Sequence, residues 1–222
     1  MDSTLLPISR EQWPALRDLY ASDRTNLTGF DLINYFINYK PSSGNDSIKI
    51  YTADKDWITH GSYILIHQLE SKAYIYLDTV CGSLEDLGSL LCSLDLKVFH
   101  LICGYEERLK PLVEQYWLHL GQDLDELEHQ GTIVYHLSKS KIPLWKPRSP
   151  HGSLSNLHVL PSHRRQGLGS LAVRFMAHEI KATGSEVLAT VVFENKSSQK
   201  MFEKLDFKPI NKLYWAVVPS FY

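Results

Sequence analysis

Two kinds of apolar spacing alternate along this chain: residues three and four apart, which mark helices, and alternating or short unbroken runs, which mark strands. Residues 8 to 21 (ISREQWPALRDLYA) have helical spacing through Leu16, Leu19 and Tyr20, with Ser9 as the N-cap. Residues 30 to 39 predict a second helix, stopped by Pro41 and the polar stretch Ser42 to Asp46. Ile48 to Ala53 alternates as a strand. Ser62 to Gln68 and Ala73 to Thr79 predict two more strands, joined by a hairpin over Leu69 to Lys72. A helix over Leu84 to Leu94, a buried strand over Val98 to Cys103, a helix over Glu106 to Tyr116 and a strand over Thr132 to Leu137 complete this stretch.

The pattern then breaks. Ser138 to His151 (SKSKIPLWKPRSPH) holds Pro143, Pro147 and Pro150, which suit neither a helix nor a central strand. This stretch predicts the link between two halves, 1–140 and 141–222. Its Lys139, Lys141, Lys146 and Arg148 make it either a solvated basic linker or a source of one or two contacts to a ligand phosphate. Beyond it, Leu154, Leu157 and Val159 are out of step with a period of two, which a one-residue bulge at Ser155 or Asn156 explains. The strand is expected to end at Pro161. A helix from Gly167 to about Ala182 is expected to bury Leu168, Leu171, Ala172, Phe175, Met176 and Ile180 as one core stripe, with Gly184 as its stop. Glu186 to Val192 reads as a strand covered on both faces, a helix opens at Asn195, and Leu213 to Val218 closes as the last strand.

Composition places these elements in an ordinary globular protein. The 222 residues are enough for one large domain or two small ones, with 44% hydrophobic and 22% charged residues. A net charge of -2 offers no electrostatic case for nucleic acid. The start, MDSTLLPISREQW, lacks the basic and apolar regions of a signal peptide, and no apolar run approaches the ~20 residues of a membrane span. An intracellular protein, cytoplasmic or mitochondrial, is expected. Cys81, Cys92 and Cys103 have neither disulfide nor zinc spacing and read as buried thiols. His60, His67, His100 and His136 are scattered among strands and read as structural, so no metal site is expected.

The chemistry concentrates in Leu157 to Gly169 (LHVLPSHRRQGLG). Gly167 and Gly169 let backbone N–H groups approach a ligand closely, and the first amides of the following helix have no internal partners. With the helix dipole, these form an anion site, to which Arg164 and Arg165 add charge-assisted hydrogen bonds. Asn195 and Ser198 stand near a helix start, as caps or as ligand contacts.

Arg164-Arg165-Gln166-Gly167-Leu168-Gly169 resembles the R/Q-x-x-G-x-G/A signature of the GNAT superfamily of acyl-CoA-dependent N-acyltransferases. Asn195 to Phe207 (NKSSQKMFEKLDF) is similar to that family's N-x-x-S/A-x-x-x-Y-x-x-x-G-F block. The resemblance covers roughly the last third of the chain, and the whole chain looks most like the glycine N-acyltransferase-like proteins. It implies an α/β fold with a mixed, largely antiparallel central sheet flanked by helices. It also implies a degenerate GNAT-like layer in the first half, serving as scaffold and substrate lid. The co-substrate would be acetyl-CoA or another acyl-CoA, and the acceptor a small amine or an amino acid such as glycine. By resemblance, Leu157, His158 and Val159 grip the thioester arm through their backbone, and Arg164, Arg165, Gln166, Gly167, Leu168, Gly169 and Ser170 hold the pyrophosphate. Asn195, Ser198 and Phe202 line the arm.

The chain departs from the family at three places. Phe202 stands where a tyrosine often protonates the thiolate, and Asp206 where a glycine is usual. The presumed catalytic glutamate falls at Ser153, a poor base. His158 is the expected replacement, with His151 and Glu194 as further candidates. An acetyltransferase of protein or peptide amines and a catalytically silent acyl-CoA-binding protein are the alternative functions. Acyl chain length and oligomeric state are not encoded in these patterns.

Overall fold

The computed structural model describes residues 5–22, 29–39, 47–81, 83–96, 98–138, 153–154, 157–182, 184 and 186–219. The expected bulge at 155–156, the basic charges in 139–148 and His151 lie outside them. By contacts the chain forms two compact units, Met1–Gln130 with Leu213–Tyr222, and Gly131–Lys212.

The first unit opens with strand β1 (Leu6–Ile8), a single 3-10 turn over Arg10–Gln12 and helix α1 (Trp13–Leu19). Next come helix α2 (Phe30–Asn38), strand β2 (Ser47–Thr52), a four-residue helix α3 (Trp57–His60) and strands β3 (Tyr63–Gln68) and β4 (Lys72–Asp78). Helix α4 (Leu84–Cys92), strand β5 (Phe99–Glu106) and helix α5 (Lys110–His119) complete it. Strands β1 to β4 pair antiparallel in sequence order, β4 and β5 pair parallel, and Leu213–Val218 returns antiparallel on β5. Tyr63, Ile64 and Leu65 of β3 are all fully buried, so both faces of this sheet are covered. Trp13, Leu16, Ile33 and Phe36 from α1 and α2 pack with Tyr63 and Leu65, and α4 contacts β3 as well.

The second unit contains β6 (Gln130–Leu137), β7 (Ser153–Leu154), α6 (Leu168–Ala182), β8 (Val187–Val192) and α7 (Lys196–Lys204), and β9 (Lys208–Val218) begins in it. Strand β6 belongs here through its antiparallel pairing with β8, whereas its place in the sequence puts it in the first half. Strand β7 pairs parallel with β8, Ser153 opposite Leu188 and Leu154 opposite Ala189. Antiparallel pairing therefore predominates among the described residues, with β4–β5 and β7–β8 as the parallel pairs. A mixed α/β architecture with a largely antiparallel sheet flanked by helices is the fold that the sequence implied.

Two expectations need correction. Helix α6 packs through Val173, Ala177 and Ile180, spaced by four and three residues, onto Val187, Ala189 and Val191. The expected stripe is mostly outside: Leu168 is 41% exposed, Leu171 65%, Phe175 53% and Met176 37%. Small and branched residues let the helix approach the strands closely, and that selects the face against the larger side chains. Among the cysteines, Cys103 is buried, with its thiol pushed up to about 12 by burial, but Cys81 is exposed on the turn after β4.

The histidines expected to be structural have local partners. His60 Nε2 lies 3.1 Å from Asp54 Oδ1, His136 Nε2 lies 3.2 Å from Glu186 Oε2, and the His67 ring packs against Phe36 and Tyr39. His100 is fully buried, with Nδ1 2.8 Å from the Val98 carbonyl and Nε2 3.0 Å from the Tyr116 hydroxyl. Burial holds its pKa below the ordinary histidine value. His129 is also held low, by burial and then by the Lys110 ammonium. In the unfolded chain both titrate near about 6.5, so just below that pH the unfolded state binds more protons. Their stabilisation is therefore complete above about pH 6.5 and is lost as the pH falls toward the folded values. Thermal unfolding at about pH 5 is expected at a lower temperature than at about pH 7.5, with a smaller difference in His100→Gln. A pH difference unchanged by that substitution would remove His100 as a cause.

Candidate functional site: a basic cleft at the start of helix α6

Strand β7 is described over Ser153 and Leu154, and Leu157 to Leu160 are not in a strand. This corrects the expectation of a strand running to Pro161. A 3-10 turn over Pro161–His163 leads into the basic loop, and the loop into α6. Two of its residues have left-handed backbone, Arg165 at φ 62° and Gly167 at φ 80°. Gly167 suits this without strain, and a Cβ there would meet nothing within 4 Å, so its conformation and not crowding calls for glycine. Gly169 answers a different need. A Cβ there would lie 3.2 Å from Met201 Sδ, so glycine lets the first turn of α6 approach α7.

These elements enclose a cleft of about 610 Å³. Leu157, His158 and Val159 line one stretch of it, His163, Arg164, Arg165, Gly167, Leu168, Gly169 and Ser170 the loop and helix start, and Asn195, Ser197, Ser198 and Met201 the α7 side. No acidic residue is among the described residues of this lining, and the first turn of α6 carries none. Arginines, imidazoles, hydroxyls and unpaired helix amides together make an anion receptor. Arg164 has a second task, because its Nε–H donates to the Val159 carbonyl at 2.9 Å and ties the loop to the preceding segment. In the first unit the helix after β4 is of the opposite character: α4, capped by Ser83, carries Glu85 and Asp86 in its first turn, which oppose an anion.

Most of the expected site residues meet at this cleft. Gln166 does not line it, and its Nε2 donates to the Ser162 carbonyl at 3.4 Å. Phe202 is 4% exposed and sits in the unit's core, 5.1 Å from the Phe207 ring and stacked at 6.0 Å on Tyr135. Ser153 begins β7. Asn195 caps α7, its Oδ1 accepting from the Ser198 N–H at 3.0 Å, so the cap is made by a residue that also lines the cleft. His163, Ser197 and Met201 went unread in the sequence. The first belongs to the His-Arg-Arg run, and the other two come two and six residues after Asn195, on the same short helix.

A largely antiparallel sheet flanked by helices, with a basic glycine-rich loop feeding α6, has the features of a GNAT-type, acetyltransferase-like fold. The comparisons with known proteins agree. The model of the FR47-like protein family matches residues 133–216. A crystal structure of a Drosophila melanogaster protein is similar over 100% of both chains, at 15% identity and a TM-score of 0.81. A Pyrococcus horikoshii protein described as a candidate acetyltransferase aligns over 98% of this chain and 89% of its own, at 10% identity and a TM-score of 0.51. At such identities the likeness is one of fold. No curated protein matches the chain in sequence.

Proposed function

We propose that the chain is an acyl-CoA-dependent N-acyltransferase that moves an acyl group from the coenzyme A thioester to a small amine or amino acid such as glycine. The observation that carries this reading is the anion-receptive cleft where Arg164, Arg165, Gly167 and the α6 amides meet. In this reading the loop amides and the two arginines hold the pyrophosphate, and the backbone of Leu157 to Val159, beyond the end of β7, takes the thioester arm. His158 lines the same cleft and accepts the proton of the attacking amine. Phe202 has no proton to give and is buried in the core, so the leaving thiolate takes its proton from elsewhere.

A peptide α-amine is the second acceptor class, favoured because the imidazoles of His158 and His163 are the bases among the described lining residues. At pH 7 deprotonating an ammonium of pKa ~10.4 costs about 4.6 kcal/mol, and an α-amino group near 8 only about 1.4. Coenzyme A release, measured with acyl donors from acetyl to benzoyl and long-chain and with glycine, other amino acids and an amine-ended peptide, tests the proposal. Turnover with one acceptor class supports it and selects the acceptor. Coenzyme A binding without release from any pair would instead mark a silent acyl-CoA-binding protein.

A further inference from the structure

Gln199 lies on α7 one residue beyond Ser198, is 8% exposed and does not line the cleft. Its Nε2 donates to two successive carbonyls at the end of β8, Val192 at 3.2 Å and Phe193 at 2.9 Å. Its Oε1 accepts from Lys196 Nζ at 3.4 Å. The same Val192 carbonyl accepts the Asn195 N–H at 3.1 Å, so one oxygen joins the turn and the Gln199 side chain. The Gln199 backbone N–H in turn bonds the Asn195 carbonyl at 3.1 Å. On the far side of the corner the Phe193 ring lies over Gly131, where a Cβ would come within 2.0 Å of it, and the Phe193 N–H bonds the Gly131 carbonyl at 3.3 Å. The Gln199 carboxamide therefore ties the β8–α7 corner from within, beside the Asn195 N–H bond to Val192. The corner delivers Asn195, Ser197 and Ser198 to the cleft wall.

We infer that Gln199 is a positioning residue of this cleft, acting through the Val192–Asn195 corner that aims Asn195, Ser197 and Ser198 at the ligand. The inference rests on the acyl-CoA reading of the site. A carboxamide suits the place because two converging carbonyls need a two-proton donor, and a glutamate of the same shape would set a carboxylate oxygen against them. Small displacements of positioning groups have large effects on ligand geometry. Gln199→Glu and Gln199→Met are therefore expected to bind coenzyme A about tenfold more weakly than the parent chain at a temperature where all are folded. In an Asn195→Ala background the same substitutions are expected to cost less than in the parent, because one of the three aimed residues is already gone.

Coenzyme A titration by calorimetry, with near-UV circular dichroism to verify the fold, is the test. A ligand-free stability loss with parental coenzyme A affinity in either folded variant would overturn the inference and leave Gln199 a purely structural tie. An equal loss of affinity with and without Asn195 would overturn it too. A parent chain that binds no coenzyme A would instead overturn the acyl-CoA reading beneath it.

Discussion

The double variant Arg164→Glu, Arg165→Glu is expected to weaken coenzyme A binding at least about 100-fold. Each arginine can give a phosphate charge-assisted hydrogen bonds, and one such bond contributes about 1.5–3 kcal/mol. At about 1.4 kcal/mol per tenfold, losing two accounts for the full effect before any repulsion is counted. Reversal does more than removal, because the new carboxylates stand in a cleft whose described lining holds no acidic residue and whose helix start favours anions. Arg164 also ties Val159, so its substitution loosens the segment that lines this side of the cleft. Arg165→Gly separates the two causes: glycine accepts the left-handed backbone at φ 62°, so only the charge is lost and a smaller effect is expected. Calorimetric titration at two salt concentrations checks this. Parental affinity in the double variant would rule out this loop as the phosphate site.

Loss of Arg108 is expected to cost the first unit about 3 kcal/mol of stability, the lower end of the range for a buried ion pair that loses one member. Arg108 Nη2 meets Asp78 Oδ1 at 2.5 Å and the Thr79 carbonyl at 3.0 Å, and its Nε meets Glu106 Oε2 at 2.8 Å. The Asp78 side chain is 1% exposed and that of Arg108 41%. Water can therefore reach the guanidinium but not the carboxylate, and the low end of the range applies. The position explains the need. The parallel register of β4 and β5 runs from Lys72 opposite Phe99 to Ile75 opposite Ile102 and is not continued to Asp78, while β5 shifts register on β9 between Ile102 and Tyr105. Arg108 bridges the ends of these strands. In Arg108→Ala the Asp78 charge remains in the interior, and adding Asp78→Asn, which removes that charge, is expected to restore part of the loss. Urea unfolding monitored by circular dichroism measures both. Equal midpoints for Arg108→Ala and the parent would show the bridge to be without energetic weight.

Local pattern was legible in the sequence. The basic loop from Arg164 to Gly169 could be read because its glycines and arginines are neighbours in the chain, and the helices and most strands because their periods are short, whereas Leu157 to Pro161 has the apolar run of a strand without being one. The inward face of α6 could not be read from side-chain size, since the strands beneath it accept Val173, Ala177 and Ile180 and leave Leu171 and Phe175 outside. Strand β1 escaped notice because it is three residues long and contains Pro7, which an edge tolerates. Phe202 resembles the tyrosine position of the GNAT block by spacing, yet its ring closes the core against Phe207 and Tyr135. Gln199 gave no signal at all, because its partners are main-chain oxygens, which no side-chain pattern encodes.

The most direct test of the cleft is hydrogen–deuterium exchange with and without acetyl-CoA. Slower exchange is predicted over 157–170 and 192–201, with no change over 79–92, the turn and helix start of the first unit with Glu85 and Asp86. Protection confined to 79–92, or none anywhere at saturating ligand, would contradict the acyl-CoA assignment of this cleft.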